Sequence, residues 1–123
     1  MPIGAMLGIL CVLPGVWGSE ECRDRVEPNV AVPMRDGTIV RADVHRPDGG
    51  GPYTVLVVRT PYGKHGVKAD CYVKAGYIVV CQDVRGRYAS GGRFESSVRF
   101  QTHDAEDGHD TVEWAARLPP VDG

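Results

Sequence analysis

Two runs of β-branched residues constrain the fold of this chain more than any other feature. Residues 54–58 read TVLVV and residues 77–80 read YIVV. Unbroken apolar runs of this length are typical of strands that are buried on both faces, as in parallel sheets. Because parallel strands need a crossover, which is usually a helix, the sequence between the two runs is expected to supply one.

The segment at 67–76 (VKADCYVKAG) predicts that helix. Val67, Cys71 and Ala75 recur at four-residue spacing, which places them on one helical face. Gly76 stands where the C-terminus of a helix favours glycine. Strand, helix and strand within about 30 residues form a βαβ unit.

A β-hairpin is predicted before this unit. Two short strands at 30–34 (VAVPM) and 39–45 (IVRADVH) flank Asp36 and Gly37, and Asp-Gly is a strong hairpin signal. The second strand alternates between apolar and polar side chains, which is typical of a half-buried strand. Pro33 favours an edge position for the first strand, because proline cannot donate to the ladder.

A second helix is predicted near the C-terminus. A loop rich in Gly, Arg and Ser spans 82–102, and the helix begins near His103 and ends before Pro119. Acidic residues crowd its first turn, where they complement the helix dipole. Trp114 is expected to pack this helix against the sheet. A hairpin followed by βαβα places the chain in the α/β class.

The N-terminal residues differ in composition from the rest. Residues 3–17 carry no charged side chain, and this run is shorter than the roughly 18–20 apolar residues that a spanning helix needs. We therefore expect no stable membrane span, a signal peptide at 1–18, a linker at 19–29 and a folded domain at 30–123. Such a protein would be secreted or periplasmic. No basic residue precedes the apolar run, so a misassigned start or a membrane-associating extension of a cytoplasmic protein stays an alternative.

Charge and cysteine content exclude several function classes. The net charge is −2 with both signs mixed along the chain, so we predict no nucleic-acid partner, which would require a basic stripe. The four cysteines form no C-x-x-C motif, which argues against a zinc or dithiol site. Cys81, inside an apolar run, is expected to be a buried and unreactive thiol. A bridge between Cys22 and Cys71 stays open.

The segment at 103–110 (HDAEDGHD) could in principle bind zinc through its histidines and aspartates. His103 and His109 are six residues apart, which places them on opposite faces of a helix. We therefore favour a structural role for the acids and predict no metal and no other cofactor.

Three segments, at 32–64, 75–94 and 106–119, together resemble the N-terminal part of the X-Pro dipeptidyl-peptidase and cocaine esterase family. Members of this family are serine hydrolases with the α/β-hydrolase fold. The resemblance covers about residues 30–120. It implies that the chain forms the N-terminal portion of that fold, with an incomplete sheet. The strand at 54–58 would then lack a neighbour, so we expect an exposed apolar edge and poor solubility.

The resemblance also implies a function. In this family a turn with the sequence G-x-S-x-G comes after the segments matched here, and it presents the nucleophilic serine. The sequence contains no such motif, and Ser90, in YASGG, lacks the first glycine. The chain is therefore interpreted as an N-terminal fragment of a hydrolase that cleaves X-Pro dipeptides or small carboxylic esters, inactive alone because it lacks the catalytic Ser, Asp and His. A non-catalytic binding remnant of the same fold is the alternative.

One catalytic residue is carried over by resemblance. In the family the tyrosine hydroxyl of the loop after the third strand donates to the oxyanion, and that tyrosine matches Tyr62. The alternative is a loop tyrosine with its hydroxyl in water. His65 is expected at the pocket rim. Arg85, in a D-x-R-G motif, is expected to bind carboxylates and carbonyls of neighbouring loops.

Overall fold

The computed structural model of the chain describes residues 25–94 and 103–119. The elements in chain order are β1 (Arg25–Pro33), β2 (Ile39–Arg46), β3 (Thr54–Thr60), a 3-10 helix (Lys64–Gly66), α1 (Asp70–Lys74), β4 (Tyr77–Asp83) and α2 (Asp104–Ala116). This order confirms the predicted hairpin and βαβα arrangement. The predicted leader at 1–18 and residues 95–102 of the predicted loop lie outside the described residues.

The four strands form one mixed sheet in the order β1-β2-β4-β3. The pairs β1–β2 and β2–β4 are antiparallel, and β3 runs parallel to β4. The hairpin turn forms as predicted: the Gly37 amide donates to the Met34 carbonyl at 2.9 Å, and Gly37 has a φ of 88°. Pro33 lies on the edge strand β1, where a missing amide costs no ladder hydrogen bond.

Apolar side chains cover both faces of the sheet. On one face α2 packs over the sheet against β3 and β1, and the buried residues there include Val40, Ala42, Val44, Ile78, Val80 and Ala115. Trp114 packs against this layer, as predicted. On the other face Val79 and Cys81 pack against Ala69 and Val73 of the α1 segment. Strand β4 is therefore covered on both sides, as its sequence predicts.

Two element boundaries differ from the predictions. Strand β1 begins at Arg25, so residues 25–29 belong to the sheet rather than to a linker, because they continue the pairing with β2 up to Arg46. Helix α1 is shorter than the predicted 67–76 segment, because Val67 is extended (φ −79°, ψ 129°) and a 3-10 turn precedes it. Gly76, with a φ of 97°, follows the C-terminus of α1 as predicted.

Strand β3 is less buried than its sequence predicts. It is the last strand of the described sheet, and the side chain of Val58 is 36% exposed. The α1 segment packs on β4, so the outer side of β3 receives little cover. The expectation of burial on both faces is therefore right for β4 and wrong for β3.

Candidate active site

The loops that follow β3 and β4 meet at one edge of the sheet, because the two strands are parallel and end side by side at Thr60 and Asp83. Ligands of open α/β sheets bind beyond this carboxyl edge. Tyr62 lies in the loop after β3, and its side chain is 84% exposed. Its amide donates to the Thr60 hydroxyl at 3.0 Å. Tyr62 therefore lies in a loop at the carboxyl edge of the sheet, exposed to solvent.

The backbone around Tyr62 is held by the neighbouring loop. Arg87 Nε donates to the Pro61 carbonyl at 2.9 Å. Gly63 has a φ of 102°, and a Cβ there would lie 3.4 Å from the Tyr88 ring. Tyr88 itself adopts a positive φ of 51°, which is uncommon for a residue with a large side chain. The two loops therefore pack closely, and only glycine fits at 63 without strain.

Lys64 is the buried cation of the loop. Its amide donates to Asp83 Oδ1 at 2.8 Å. Its ammonium Nζ lies 3.3 Å from Asp83 Oδ2 and 3.6 Å from Asp43 Oδ1. Lys64 is not among the residues that the sequence predicts for the site. Asp43 and Asp83 could have indicated such a cation, because both lie in strands that are predicted from the sequence. A carboxylate that is buried in a sheet requires a cation or hydrogen-bond donors.

His65 lies beside this cluster. Its Nε2 is 3.4 Å from Asp43 Oδ2, while the rest of its side chain is exposed. His65 and Tyr62 both line an open cavity of about 480 Å³, together with Tyr88 and Asp83. This agrees with the predicted position of His65 at a pocket rim. The exposed phenol and imidazole can therefore both reach a ligand in the cavity.

Arg85 has the structural role that the sequence predicts for it. Nε and Nη2 donate to the two carboxylate oxygens of Asp107 at 2.8 Å each. Nη1 donates to Asp36 at 2.9 Å and to the Thr38 hydroxyl at 2.8 Å. The hydrogen bond from Arg85, with that from the Thr38 amide, holds the pKa of Asp36 well below its usual value. Arg85 thus joins the hairpin turn to α2.

A second cavity lies between the end of β3 and α2. It has a volume of about 170 Å³ and is lined by residues that include Arg59, Arg85 and His103. Arg59 Nε donates to Gln82, and its Nη1 donates to Asp104 at 2.9 Å. Arg59 Nη2 is buried and has no acceptor among the described residues.

The serine and cysteines of the described region have no catalytic geometry. The Ser90 hydroxyl donates to the Asp83 carbonyl at 2.6 Å and accepts from the Arg41 amide at 2.7 Å, so both of its functions are engaged. Cys81 is buried as predicted, and burial raises the pKa of its thiol to about 11. Cys71 is exposed and forms no disulfide with another described residue, and its suggested partner Cys22 lies outside the described residues.

Four acidic residues of α2 form ion pairs with arginines: Asp104, Glu106, Asp107 and Asp110. Asp110 accepts from the amide and side chain of Arg35, and this hydrogen bonding lowers the pKa of Asp110. Within residues 25–94 and 103–119, no three histidine, cysteine, aspartate or glutamate side chains are arranged to hold a metal ion. In the same ranges no helix has the length and apolar composition that crossing a bilayer requires.

The sequence profile of X-Pro dipeptidyl-peptidase (S15 family) matches residues 36–123 of this chain. The chain belongs to the X-Pro dipeptidyl-peptidase family. It is also 42% identical over 106 residues to the cocaine esterase of Rhodococcus sp. (strain MB1 Bresler), an alignment that covers 80% of this chain and 18% of the esterase. The resemblance predicted from three sequence segments is confirmed.

Solved structures of similar hydrolases share the fold. An α-amino acid ester hydrolase is 26% identical, with a TM-score of 0.64, over 93% of this chain and 22% of the hydrolase. A CocE/NonD family hydrolase from Staphylococcus aureus is 22% identical, with a TM-score of 0.71, over 81% of this chain and 22% of its own. The described sheet is thus part of an α/β-hydrolase fold. The chain spans only about a fifth of the length of these relatives.

Proposed function

We propose that this chain is the N-terminal part of a serine hydrolase that cleaves X-Pro dipeptides or small carboxylic esters by acyl transfer, and that Tyr62 donates to the oxyanion. Family membership supports the reaction class. The observation that carries the role of Tyr62 is its position: a phenol that is 84% exposed, on an anchored loop at the carboxyl edge of the sheet.

The chemistry requires a donor at this position. When a nucleophile attacks an ester or amide carbonyl, negative charge develops on the carbonyl oxygen, and preplaced donors stabilise it. A phenol can donate one such hydrogen bond. Tyr62 lines the open cavity and is exposed instead of packed in the core, so a substrate oxygen can approach it.

The nucleophile, the base and the residue that orients the base are proposed to come from the rest of the family's fold. Ser90 cannot act as the nucleophile in the described geometry, because its hydroxyl is bonded to two backbone groups. We therefore expect purified residues 1–123 to show no hydrolysis of p-nitrophenyl acetate above the buffer rate. A reading frame that continues past Gly123 and encodes a G-x-S-x-G motif would support the proposal that the nucleophile comes from a later part of the protein.

The test of Tyr62 needs a complete hydrolase. Either the longer gene product or a chimera serves, in which this chain replaces the matching segment of the Rhodococcus cocaine esterase. Tyr62→Phe should lower kcat roughly 100- to 1,000-fold, because one oxyanion donor is lost. Tyr72→Phe, which alters an exposed tyrosine on α1, is the matched control and should leave kcat unchanged. An unchanged kcat in Tyr62→Phe would exclude the role.

A further inference from the structure

We propose that Lys64 is a positioning residue for Tyr62: its buried ammonium, held between the carboxylates of Asp43 and Asp83, fixes the loop that carries the phenol. The structural part of this inference is independent of the activity, and its catalytic consequence rests on the proposed function. It assigns a role to a buried charged cluster that neither the fold nor the oxyanion chemistry explains.

Tyr62 depends on its backbone for its position. A side chain with most of its surface in solvent gains little orientation from packing. What holds Tyr62 is the chain on either side: the Pro61 carbonyl is bound by Arg87, and the Lys64 amide is bound by Asp83. Any movement of these two anchors is transmitted to the phenol.

The Lys64 anchor reaches two strands at once. Asp43 lies on β2 and Asp83 at the end of β4, and these strands are neighbours in the sheet. The ammonium lies 3.6 Å from one carboxylate and 3.3 Å from the other. The loop after β3 is therefore tied to both β2 and β4. Lys64 follows Tyr62 after a single glycine, so this tie lies close to the phenol.

Stability alone does not account for a buried lysine here. Removing an ammonium and two carboxylates from water is costly, and apolar residues of similar volume are often as stabilising as a buried ion pair. An apolar residue would also pack without a preferred direction. The ammonium instead pairs with two carboxylates, those of Asp43 and Asp83. The Asp83 carboxylate also accepts a hydrogen bond from the Lys64 amide. This favours a role in fixing the loop geometry.

The first experiment measures the anchoring directly, by residue-resolved amide hydrogen exchange on the complete hydrolase or the chimera, in which the β3 edge is expected to be covered. Lys64→Met keeps most of the side-chain volume and removes the charge. We expect exchange of the Tyr62, Gly66 and Val67 amides to rise about tenfold or more, while the central amides of β4 stay protected. Lys68→Met, an exposed lysine in the same segment, is the matched control and should change nothing.

If Lys64→Met does not fold, Asp43→Asn provides the same test, because it removes one carboxylate and keeps the Lys64–Asp83 pair. Faster exchange at residues 62–67 is again expected, together with a local rise at the Asn29 amide, which donates to Asp43 at 2.9 Å. Exchange that is unchanged there, or that rises equally throughout the sheet, would overturn the inference.

The second experiment measures the consequence in the complete hydrolase or the chimera. Lys64→Met should lower kcat roughly 10- to 100-fold with little change in KM, because a displacement of about 1 Å misplaces the donor. In the Tyr62→Phe background the same substitution should cost little more, since Lys64 acts through Tyr62. A fully additive loss would contradict the positioning role. If Tyr62→Phe alone has no effect, the oxyanion role fails, and the exchange data still decide whether Lys64 holds the loop.

Discussion

The two edges of the described sheet are built differently. Strand β1 carries Pro28 and Pro33 and shifts its register between Glu27 and Val30, and these features prevent regular pairing with a further strand. Strand β3 reads TVLVVRT, with neither proline nor a bulge. The β1 edge thus has features that are typical of an edge strand, whereas the sequence of β3 is typical of an interior strand.

The edges also differ in how they are tied to α2. On the hairpin side Arg85 joins Asp36 to the buried Asp107, and Arg35 binds Asp110. On the β3 side Arg59 binds Asp104, whose side chain is 53% exposed. Because a buried carboxylate depends on its partner more than an exposed one does, the hairpin side is held more firmly than the β3 side.

The largest expected effect follows from this difference. Arg85→Met should lower the free energy of unfolding by about 3–5 kcal/mol, because it leaves the buried Asp107 carboxylate without its cation. Arg59→Met removes a comparable side chain at the other edge and should cost only about 1 kcal/mol, since Asp104 stays hydrated. Urea unfolding at low protein concentration measures both. Equal losses would show that the two edges are tied with equal strength.

The next effect concerns association. We expect the isolated chain to form soluble aggregates or to be partly unfolded, because the β3 edge can pair with other chains. Val58→Lys should reduce the aggregated fraction several-fold by placing a charge on that edge. Val26→Lys is the matched control, because Val26 is 45% exposed on β1, against 36% for Val58 on β3.

Size-exclusion chromatography with light scattering over a concentration series gives the readout. A soluble monomeric wild type with a sharp cooperative melt would contradict this prediction. So would equal effects of the two lysine substitutions.

Much of the fold was predictable because its signals are local. The Asp36–Gly37 turn, the alternation of β2 and the apolar run of β4 each specify their own conformation, and all three are confirmed. The start of β1 at Arg25 was not predictable, since the polar sequence RVEPN has no strand pattern and is ordered by pairing with β2. The composition of β3 predicts burial on both faces, and this is wrong because these residues alone do not form a complete sheet; the edge position of β3 was expected from the family resemblance.

The candidate site, too, was predictable only in part. The position of Tyr62 at the carboxyl edge followed from the family resemblance and from the strand that precedes the loop. The burial of Lys64 did not, because its two carboxylate partners are distant in sequence and meet it only through the strand order β2-β4-β3. A lysine in a glycine-containing loop is ordinarily solvated, so only the tertiary arrangement reveals the cluster.

The smallest expected effect is a pH dependence confined to the hairpin side. Hydrogen bonds from Arg85 and Arg35 lower the pKa values of Asp36 and Asp110 in the folded chain. A carboxyl whose pKa is lowered by folding stabilises the fold above its unfolded pKa, about 3.9, and loses that contribution as the pH falls towards the folded value. The free energy of unfolding should therefore decline below about pH 4.

Asp36→Asn and Asp110→Asn should each flatten this decline, since the substituted side chain no longer titrates. Urea unfolding of the wild type and both variants between pH 6 and pH 2 is the measurement. Asp48→Asn is the control, because Asp48 faces Arg25 at 3.7 Å between two exposed side chains, and it should leave the slope as it is. If the free energy of unfolding had the same pH dependence in the wild type and all three variants, the hairpin side would be stabilised by packing rather than by these ion pairs.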